Sequence, residues 1–151
     1  MRALLQRVTA AGVSLVDDAG VETPLATIGP GLVVLICAEP ADTDETAQFF
    51  ARKVANMRVF EDADGKTNLS IQDVGGQALV ISQFTLAADW KRGNRPGFSG
   101  AADPETAERL YLKFVDFLRV EGVDAATGRF RSHMRVTLTN DGPFTIWMDS
   151  D

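Results

Sequence analysis

The chain has 151 residues, of which 45% are hydrophobic, and its 15 basic and 21 acidic side chains leave a net charge of −6. A chain of this length and composition supports one folded domain with a sizeable core, so an intrinsically disordered protein is excluded. The acidic balance repels a polyanion at long range, so we expect no DNA binding, and any contact with nucleic acid must be local.

The cysteine, histidine and apolar content limits the compartment and the metal chemistry. Cys37 is the single cysteine and His133 the single histidine. No internal disulfide can therefore form, and a structural zinc site is not expected. No continuous apolar stretch reaches the ~18 residues that span a bilayer. We therefore expect a cytoplasmic protein that uses no metal and has no membrane partner.

The first quarter of the chain predicts three strands. Residues 3–8 and 13–16 are rich in valine and leucine and are separated by small residues, which predicts two strands with a tight connection. Residues 17–27 are polar and contain glycine and proline, as is typical of a loop. The unbroken apolar run over residues 32–37 predicts a central strand buried on both faces.

The middle of the chain predicts a helix and a second buried strand. Asp42, followed three residues later by Glu45, has the spacing of a capping box, and apolar residues recur behind it at helical spacing. A helix is therefore predicted from about residue 43 to residue 57. The apolar residues 78–81 predict a strand, which runs directly into the polar segment 82–86.

The last third predicts a second helix and two more strands. Asp103 as N-cap and Pro104 at the first helical position begin a helix with one apolar stripe, which ends near Gly122. Residues 135–139 and 144–148 alternate apolar and polar side chains, which predicts two strands that flank a Gly-Pro turn.

The order of these elements predicts the fold class. Only two long helices occur among irregularly placed strands, and no internal repeat or linker divides the chain. We therefore predict an α/β fold in which residues 1–151 form a single compact domain. Its mixed, curled sheet or β-barrel-like core has the two main helices packed on one side.

The common cofactor and nucleophile motifs are absent. No Walker loop and no Gly-x-Gly-x-x-Gly fingerprint occurs, so no cofactor is expected. The nearest match to a nucleophile elbow, at residues 97–101, lacks the final glycine. A serine triad would have to use His133. Cys37 is interpreted as a core residue, because an apolar setting raises the pKa of a thiol and makes it unreactive.

Three polar segments are candidates for a functional site. Residues 82–86 lie at the carboxyl end of a strand, where α/β sheets commonly bind ligands, although a frayed strand end explains the pattern equally well. Residues 140–145 contain a Gly-Pro pair that interrupts a strand, as in a hairpin turn or a ligand-facing pair of carbonyl groups. Residues 90–98 combine cations with aromatic side chains, which suits phosphates and unpaired bases or a solvated basic loop.

Taken together, these segments resemble the D-aminoacyl-tRNA deacylase family, and the resemblance extends over essentially the whole chain. The Ser-Gln-Phe-Thr-Leu signature stands at residues 82–86. The other matching motifs occur in order at residues 3–8, 28–32, 68–70, 73–76, 95–96, 98–99, 140–143 and 145.

The resemblance implies a hydrolase that cleaves the ester bond between a D-amino acid and the 3′ end of tRNA. It implies a homodimer of barrel-like subunits with the active sites at the interface. Gly142 and Pro143 of each subunit, joined by a cis peptide, would enter the pocket of the other. Two rigid carbonyl oxygens aimed at the α-carbon would exclude an L-residue but admit a D-residue, and also glycine mischarged on tRNA-Ala.

The resemblance also assigns roles to individual residues. The catalytic set is Ser82, Gln83, Phe84 and Thr85. The substrate-binding set is Asn140, Gly142, Pro143, Thr145 and Arg7. The tRNA-binding set is Lys91, Arg92 and Arg95, with Arg7 as a weaker candidate.

The chemistry of the attack has two interpretations. Thr85 as a nucleophile needs a neighbouring base, and neither motif offers a convincing one. We favour main-chain N–H groups near Phe84 and Thr85 that hold the ester carbonyl oxygen, while Ser82 and Gln83 order the site. The 2′-hydroxyl of the terminal ribose would then help to activate a water molecule.

Two other classes of function compete with this interpretation. One is a small-molecule esterase or amidase that uses Ser82 or Thr85 with His133, and it predicts hydrolysis of D-amino acid esters without RNA. The other is a non-enzymatic oligomeric binding module, in which the polar strand ends serve only as an interface.

Overall fold

A mixed six-stranded sheet forms the centre of the computed structural model, which describes residues 1–150. The sheet strands are β1 (Arg2–Val16), β2 (Glu22–Ile28), β3 (Gly31–Cys37), β6 (Gln77–Ser82), β7 (Asp124–Thr127) and β8 (Met134–Asp149). A separate hairpin consists of β4 (Phe60–Glu61) and β5 (Thr67–Leu69), and the helices are α1 (Asp44–Asn56) and α2 (Pro104–Val120). A 3-10 turn over Phe84–Ala87 follows β6.

The first strand organises the sheet because it has three partners. Its first half pairs with β3 and its second half with β2, while β8 pairs along its other edge, all of them antiparallel. The strands β3, β6 and β7 are parallel to one another. A strand that changes partner halfway bends the sheet, and this produces the curled, barrel-like form that the sequence predicts.

Two apolar layers cover the two faces of the central strands. Both helices pack on one face, where Phe50, Leu110 and Phe114 are fully buried against Val34 and Val80. The opposite face forms a smaller cluster in which the second half of β1, the end of β2 and the start of β8 fold over β3 and β6. The predicted placement of both helices on one side of a mixed sheet is therefore confirmed.

The central elements agree with their predictions. Residues 32–37 lie in β3, which is buried on both faces, and the helix begun by Asp103 and Pro104 is α2. Close packing of β3 on β6 requires glycine at position 31, because a Cβ there would lie 1.8 Å from the carbonyl oxygen of Gln77. Parallel strands covered on both faces need continuous apolar runs, which is why the sequence shows them plainly.

Four local predictions are wrong. Residues 3–8 and 13–16 belong to one continuous strand, because the small residues between them remain paired. The supposed loop 17–27 contains most of β2, whose exposed face accounts for its polar side chains. The cap of α1 is Thr43 with Thr46, whereas Asp42 accepts hydrogen bonds from the Met1 ammonium group and the Glu39 N–H.

The fourth error concerns the Gly-Pro turn. Residues 135–139 and 144–148 are parts of the same strand, β8, and both pair with β1. The register shifts where Val8 pairs with Asn140 and Gln6 pairs with Thr145. Residues 141–144 therefore bulge out of one long strand instead of joining two neighbouring strands.

No helix within residues 1–150 has both the length and the apolar character needed to cross a membrane.

Candidate active site

The 3-10 turn lies at the carboxyl ends of the parallel strands β3 and β6. The N–H of Gln83 donates to the carbonyl of Ile36 at 2.8 Å, and the N–H of Leu86 donates to the carbonyl of Gln83 at 3.2 Å. The N–H groups of Phe84 and Thr85 have no acceptor within the described part of the chain, and no side chain caps the turn. Two adjacent main-chain donors are therefore free at this edge of the sheet.

The Thr85 hydroxyl has a partner that does not activate it. The side-chain amide of Gln83 donates to the Thr85 oxygen at 2.5 Å. An amide N–H cannot accept the proton that a nucleophilic hydroxyl must lose. The contact orients Thr85 and supports the interpretation in which the main chain, not this hydroxyl, acts on the substrate.

The side chains of Arg2 and Cys37 contact carbonyl groups of the 3-10 turn. The Arg2 guanidinium donates to the Leu86 carbonyl at 3.1 Å and pairs with Glu39 at 2.9 Å. The Cys37 thiol lies 3.6 Å from the Phe84 carbonyl oxygen. Burial raises the pKa of Cys37 to about 11, so the thiol stays neutral, in agreement with its interpretation as a core residue.

A cavity of about 730 Å³ opens beside the turn. Ser82, Gln83 and Phe84 line it, whereas Thr85 is not among the lining residues. The rest of the wall is mostly apolar and includes Phe98 and Phe130. This volume falls in the range of small-ligand sites, which are typically apolar with a few polar groups.

Arg7 fixes the bulge in β8. It is only 8% exposed, and its Nε donates to the Asp141 carbonyl at 3.0 Å while Nη1 donates to the Val59 carbonyl at 2.7 Å. The guanidinium also lies 4.7 Å from the centre of the Phe144 ring. Two of its three guanidinium nitrogens thus donate inside the protein, and we expect Arg7 to act through the bulge instead of on RNA.

The remaining bulge residues form a small polar cluster. Asn140 accepts from the Phe144 N–H at 2.6 Å and donates to the Thr145 hydroxyl at 3.0 Å. Gly142 and Pro143 are exposed, and the peptide bond between them is cis. Gly142 has φ +146°, and a Cβ there would lie 2.8 Å from the Phe144 nitrogen. The backbone of the bulge therefore requires glycine at this position.

The structure does not bring the two predicted sets together at the cavity. Ser82, Gln83 and Phe84 face the cavity, but neither Gly142 nor Pro143 lines it. The cavity and the bulge are therefore separate features of the described chain.

The basic segment forms a loop closed by a bridge between Asp89 and Gly97. Lys91, Arg92 and Arg95 are exposed and do not line the cavity. Phe98, which follows the loop, does line it and contacts the Phe84 ring edge-to-face at 5.1 Å. The cations therefore stand outside the cavity, beside one of its walls.

Sequence reasoning missed Arg131 as a site residue. Arg131 and His133 lie in the loop between β7 and β8, and both line the cavity. The available signal was the run Arg129 to His133, in which three basic residues follow closely on one another beside Phe130.

These features define a class of protein. The fold is a curled mixed sheet covered by helices, with a ligand-sized cavity at the carboxyl ends of its parallel strands. Such a cavity beside free main-chain donors is typical of small α/β enzymes. The family model described as D-Tyr-tRNA(Tyr) deacylase matches residues 4–149. The chain therefore belongs to the D-Tyr-tRNA(Tyr) deacylase family, as its motifs indicate.

Individual relatives and solved structures agree. A D-aminoacyl-tRNA deacylase of Dinoroseobacter shibae is 55% identical over 149 residues, covering 99% of both chains. One of Paracoccus denitrificans is 51% identical, covering 99% of this chain and 97% of the relative. The solved c-Myc DNA unwinding element binding protein is 37% identical with a TM-score of 0.88, covering 100% of this chain and 99% of that one. A probable eukaryotic D-amino acid tRNA deacylase, 19% identical, shares the fold with a TM-score of 0.83 over 97% of each chain.

Proposed function

We propose that this protein hydrolyses the ester bond that joins a D-amino acid to the 3′ end of tRNA. The family and the relatives named D-aminoacyl-tRNA deacylase support this activity. The observation that carries it is the pair of free N–H groups of Phe84 and Thr85 beside the cavity. Acyl transfer needs such donors where the carbonyl oxygen becomes negative.

The proposed reaction needs little from side chains. The N–H groups of Phe84 and Thr85 hold the ester carbonyl oxygen, and a water molecule attacks the carbonyl carbon while that oxygen becomes an oxyanion. The bond to the ribose oxygen then breaks, and this oxygen takes up the proton that the water released. The neighbouring 2′-hydroxyl of the ribose assists the proton transfer, so the RNA supplies a group that the protein lacks.

Chiral selection is proposed to come from the bulge of a second subunit. The bulge is held on either side of this pair, because Arg7 donates to the Asp141 carbonyl and Asn140 accepts from the Phe144 N–H. Gly142 and Pro143 are themselves exposed, and the proposal assigns the selection to their main-chain carbonyl groups. Aimed at the α-carbon of the substrate, they leave room for hydrogen but not for the side chain of an L-residue. Glycine carries no side chain, so glycine on tRNA-Ala is also a proposed substrate.

An apolar row beside the bulge supports the homodimer. Leu4 of β1 pairs with Leu35 of β3 and with Trp147 of β8, so the three side chains share one face of the sheet. Trp147 is 48% exposed. The neighbouring pair Gln6 and Thr145 connects this row to the bulge. A second subunit that covered the row would bring its own bulge to the interface by two-fold symmetry.

The proposed RNA contact is local and limited to the single-stranded 3′ end. Lys91, Arg92 and Arg95 would bind phosphates upstream of the cavity, and Trp90, which is 73% exposed, offers a ring on which a base can stack. The net charge of −6 opposes a larger RNA footprint. Since aminoacyl-tRNA is made and used in the cytoplasm, we place the protein there.

The test compares D-Tyr-tRNA with L-Tyr-tRNA as substrates of the wild-type protein and of two variants of Phe84. Phe84→Pro removes the ring and the N–H, and proline is compatible with the first position of a helical turn. Phe84→Ala removes the ring alone and is the matched control. We expect release of D-tyrosine only, and a kcat for Phe84→Pro about a hundredfold below that of Phe84→Ala. Equal kcat values for the two variants would contradict the proposed role of the N–H group.

A small-molecule esterase remains a second candidate because Ser82 and His133 line the same cavity. It predicts rapid hydrolysis of D-tyrosine ethyl ester and loss of activity in His133→Ala. If the protein is a deacylase, the His133→Ala variant should still hydrolyse D-Tyr-tRNA. The ethyl ester should be a poor substrate, because it has no ribose.

A further inference from the structure

The cavity carries a charge opposite to that of the protein. The chain has 21 acidic residues, yet none of the described residues that line the cavity is Asp or Glu. Its one permanently charged side chain is Arg131, with His133 two positions further along. Such a site attracts an anion although the protein as a whole repels one.

The backbone at Arg131 is unusual. Its φ is +56°, and it is the one residue other than glycine with a positive φ in the part of the chain that the structure describes. The left-handed conformation is unfavourable for an arginine, because its Cβ approaches the following carbonyl oxygen, and glycine would avoid this cost. One end of the loop is attached to β6, because the Gly128 N–H donates to the Val80 carbonyl at 3.2 Å. A turn closes around Arg131, where the Ser132 N–H donates to the Arg129 carbonyl at 3.3 Å.

The guanidinium is available for a ligand. No ion pair or hydrogen bond of the Arg131 side chain occurs within residues 1–150. This distinguishes it from Arg119, which donates to the Ala125 carbonyl, and from Arg135, which pairs with Glu22. A strained, unpaired arginine at an otherwise uncharged cavity is a candidate binding residue.

The chemistry of the substrate identifies the anion. This step rests on the proposed function, in which the terminal nucleoside and its ester enter the cavity. The nearest negative charge to that ester is the phosphodiester that joins the last two nucleotides. We infer that Arg131 binds this phosphodiester and so fixes the position of the ester beside the 3-10 turn. The planar guanidinium matches two phosphate oxygens at once, which a lysine cannot do.

This assignment differs from that of the basic loop. Lys91, Arg92 and Arg95 are outside the cavity and can reach only phosphates further from the 3′ end. Arg131 binds the last phosphodiester. It should therefore affect every substrate that contains at least two nucleotides. The two groups of cations can be separated by shortening the RNA.

The test uses three D-tyrosyl esters: adenosine, which has no phosphate, the dinucleotide cytidylyl-adenosine, which has one, and whole tRNA. The variant is Arg131→Gly, which removes the side chain and also the left-handed strain, so its thermal stability should equal or exceed that of the wild type. The matched control is Arg129→Ala, which removes an exposed cation of the same loop that does not line the cavity.

We expect Arg131→Gly to lower kcat/KM about tenfold for the dinucleotide and the tRNA esters. For the adenosine ester, kcat/KM should stay within about twofold of the wild-type value. The slope of log(kcat/KM) for tRNA against log salt concentration should become less negative by about 0.7, the value for one phosphate on a single strand. Arg129→Ala should change neither quantity.

Two results would overturn the inference alone. One is an active wild-type protein whose Arg131→Gly variant matches Arg129→Ala on every substrate, and the other is an equal loss on all three esters, which would place Arg131 on the nucleoside instead of the phosphate. A wild-type protein that hydrolyses none of the three esters would overturn the proposed function and this inference together.

Discussion

Replacing Arg7 tests whether the bulge is held in place by one buried side chain. Arg7→Met keeps most of the apolar stem but removes the guanidinium, which donates to the carbonyl groups of Asp141 and Val59 and lies over the Phe144 ring. The Val59 carbonyl loses its buried donor, and the bulge loses its link to the hairpin β4–β5. The free energy of unfolding and the preference for the D substrate should therefore both fall.

The size of the effect follows from these contacts. Each hydrogen bond from a charged donor contributes about 1.5–3 kcal/mol, and the contact with the ring adds about 1 kcal/mol. Because the three contacts share one group, we expect a total loss of about 4 kcal/mol instead of their full sum. For a chain of this length, 1 kcal/mol corresponds to about 2–4 °C, so Tm should fall by about 8–16 °C.

The assay combines urea unfolding with deacylation of D-Tyr-tRNA and L-Tyr-tRNA at a temperature where the variant is folded. A displaced bulge should lower the ratio of kcat/KM between the D and L substrates. Arg7→Lys is the control, since it keeps the charge but reaches only one of the two carbonyl groups, and its loss of stability should be intermediate. An Arg7→Met variant within 1 kcal/mol of the wild type and equally selective would refute this reasoning.

The remaining predictions concern the turn, the basic loop and the thiol. Thr85→Ala should keep substantial deacylase activity, and a loss of about a thousandfold in kcat without misfolding would restore Thr85 as the nucleophile. Replacing Lys91 and Arg92 together with alanine should raise KM for aminoacyl-tRNA most at low salt, whereas an unchanged KM across salt concentrations would remove them from the RNA contact. The pKa of Cys37 is raised to about 11 from 9.0, so the folded state retains a proton that the unfolded state loses. Its contribution to stability, measured as the difference in unfolding free energy from Cys37→Ala, should be constant below about pH 9 and fall from there to about pH 11.

Local chemistry made some elements predictable. β3 is a continuous apolar run because both its faces are covered, and α2 begins at an Asp-Pro pair that can hardly occur elsewhere in a helix. In contrast, Asp42 and Thr43 are both good caps, and the choice between them depends on the distant Met1 ammonium group that engages Asp42. A local pattern cannot contain that contact.

The candidate site likewise combines residues that a local pattern predicts with residues whose placement depends on distant contacts. The sequence predicts residues 82–86 at a strand end, and they lie there because this run follows the buried β6 directly. The local pattern predicts a turn instead of the bulge, because the partner strand β1 lies more than 130 residues away along the chain, as the contact between Arg7 and Asp141 shows. Arg131 was missed because only the folding of the loop after β7 over the sheet brings it to the cavity.

The central claim is that each active site combines the cavity of one subunit with the bulge of the other, and a mixed dimer tests it most directly. One subunit carries Phe84→Pro, and the other carries Gly142→Ala, whose Cβ would lie 2.8 Å from the Phe144 nitrogen. The two subunits are co-expressed with different tags, and the heterodimer is purified beside each homodimer. The Phe84→Pro homodimer should be nearly inactive, and the Gly142→Ala homodimer should accept L-Tyr-tRNA as well as D-Tyr-tRNA.

If the bulge acts across the interface, both substitutions fall in one site and leave the other site intact. The heterodimer should then hydrolyse D-Tyr-tRNA at about half the wild-type rate per dimer, with the wild-type preference for the D substrate. A heterodimer that accepts L-Tyr-tRNA as readily as the Gly142→Ala homodimer does, or a fully active protein that is monomeric in solution, would contradict the claim.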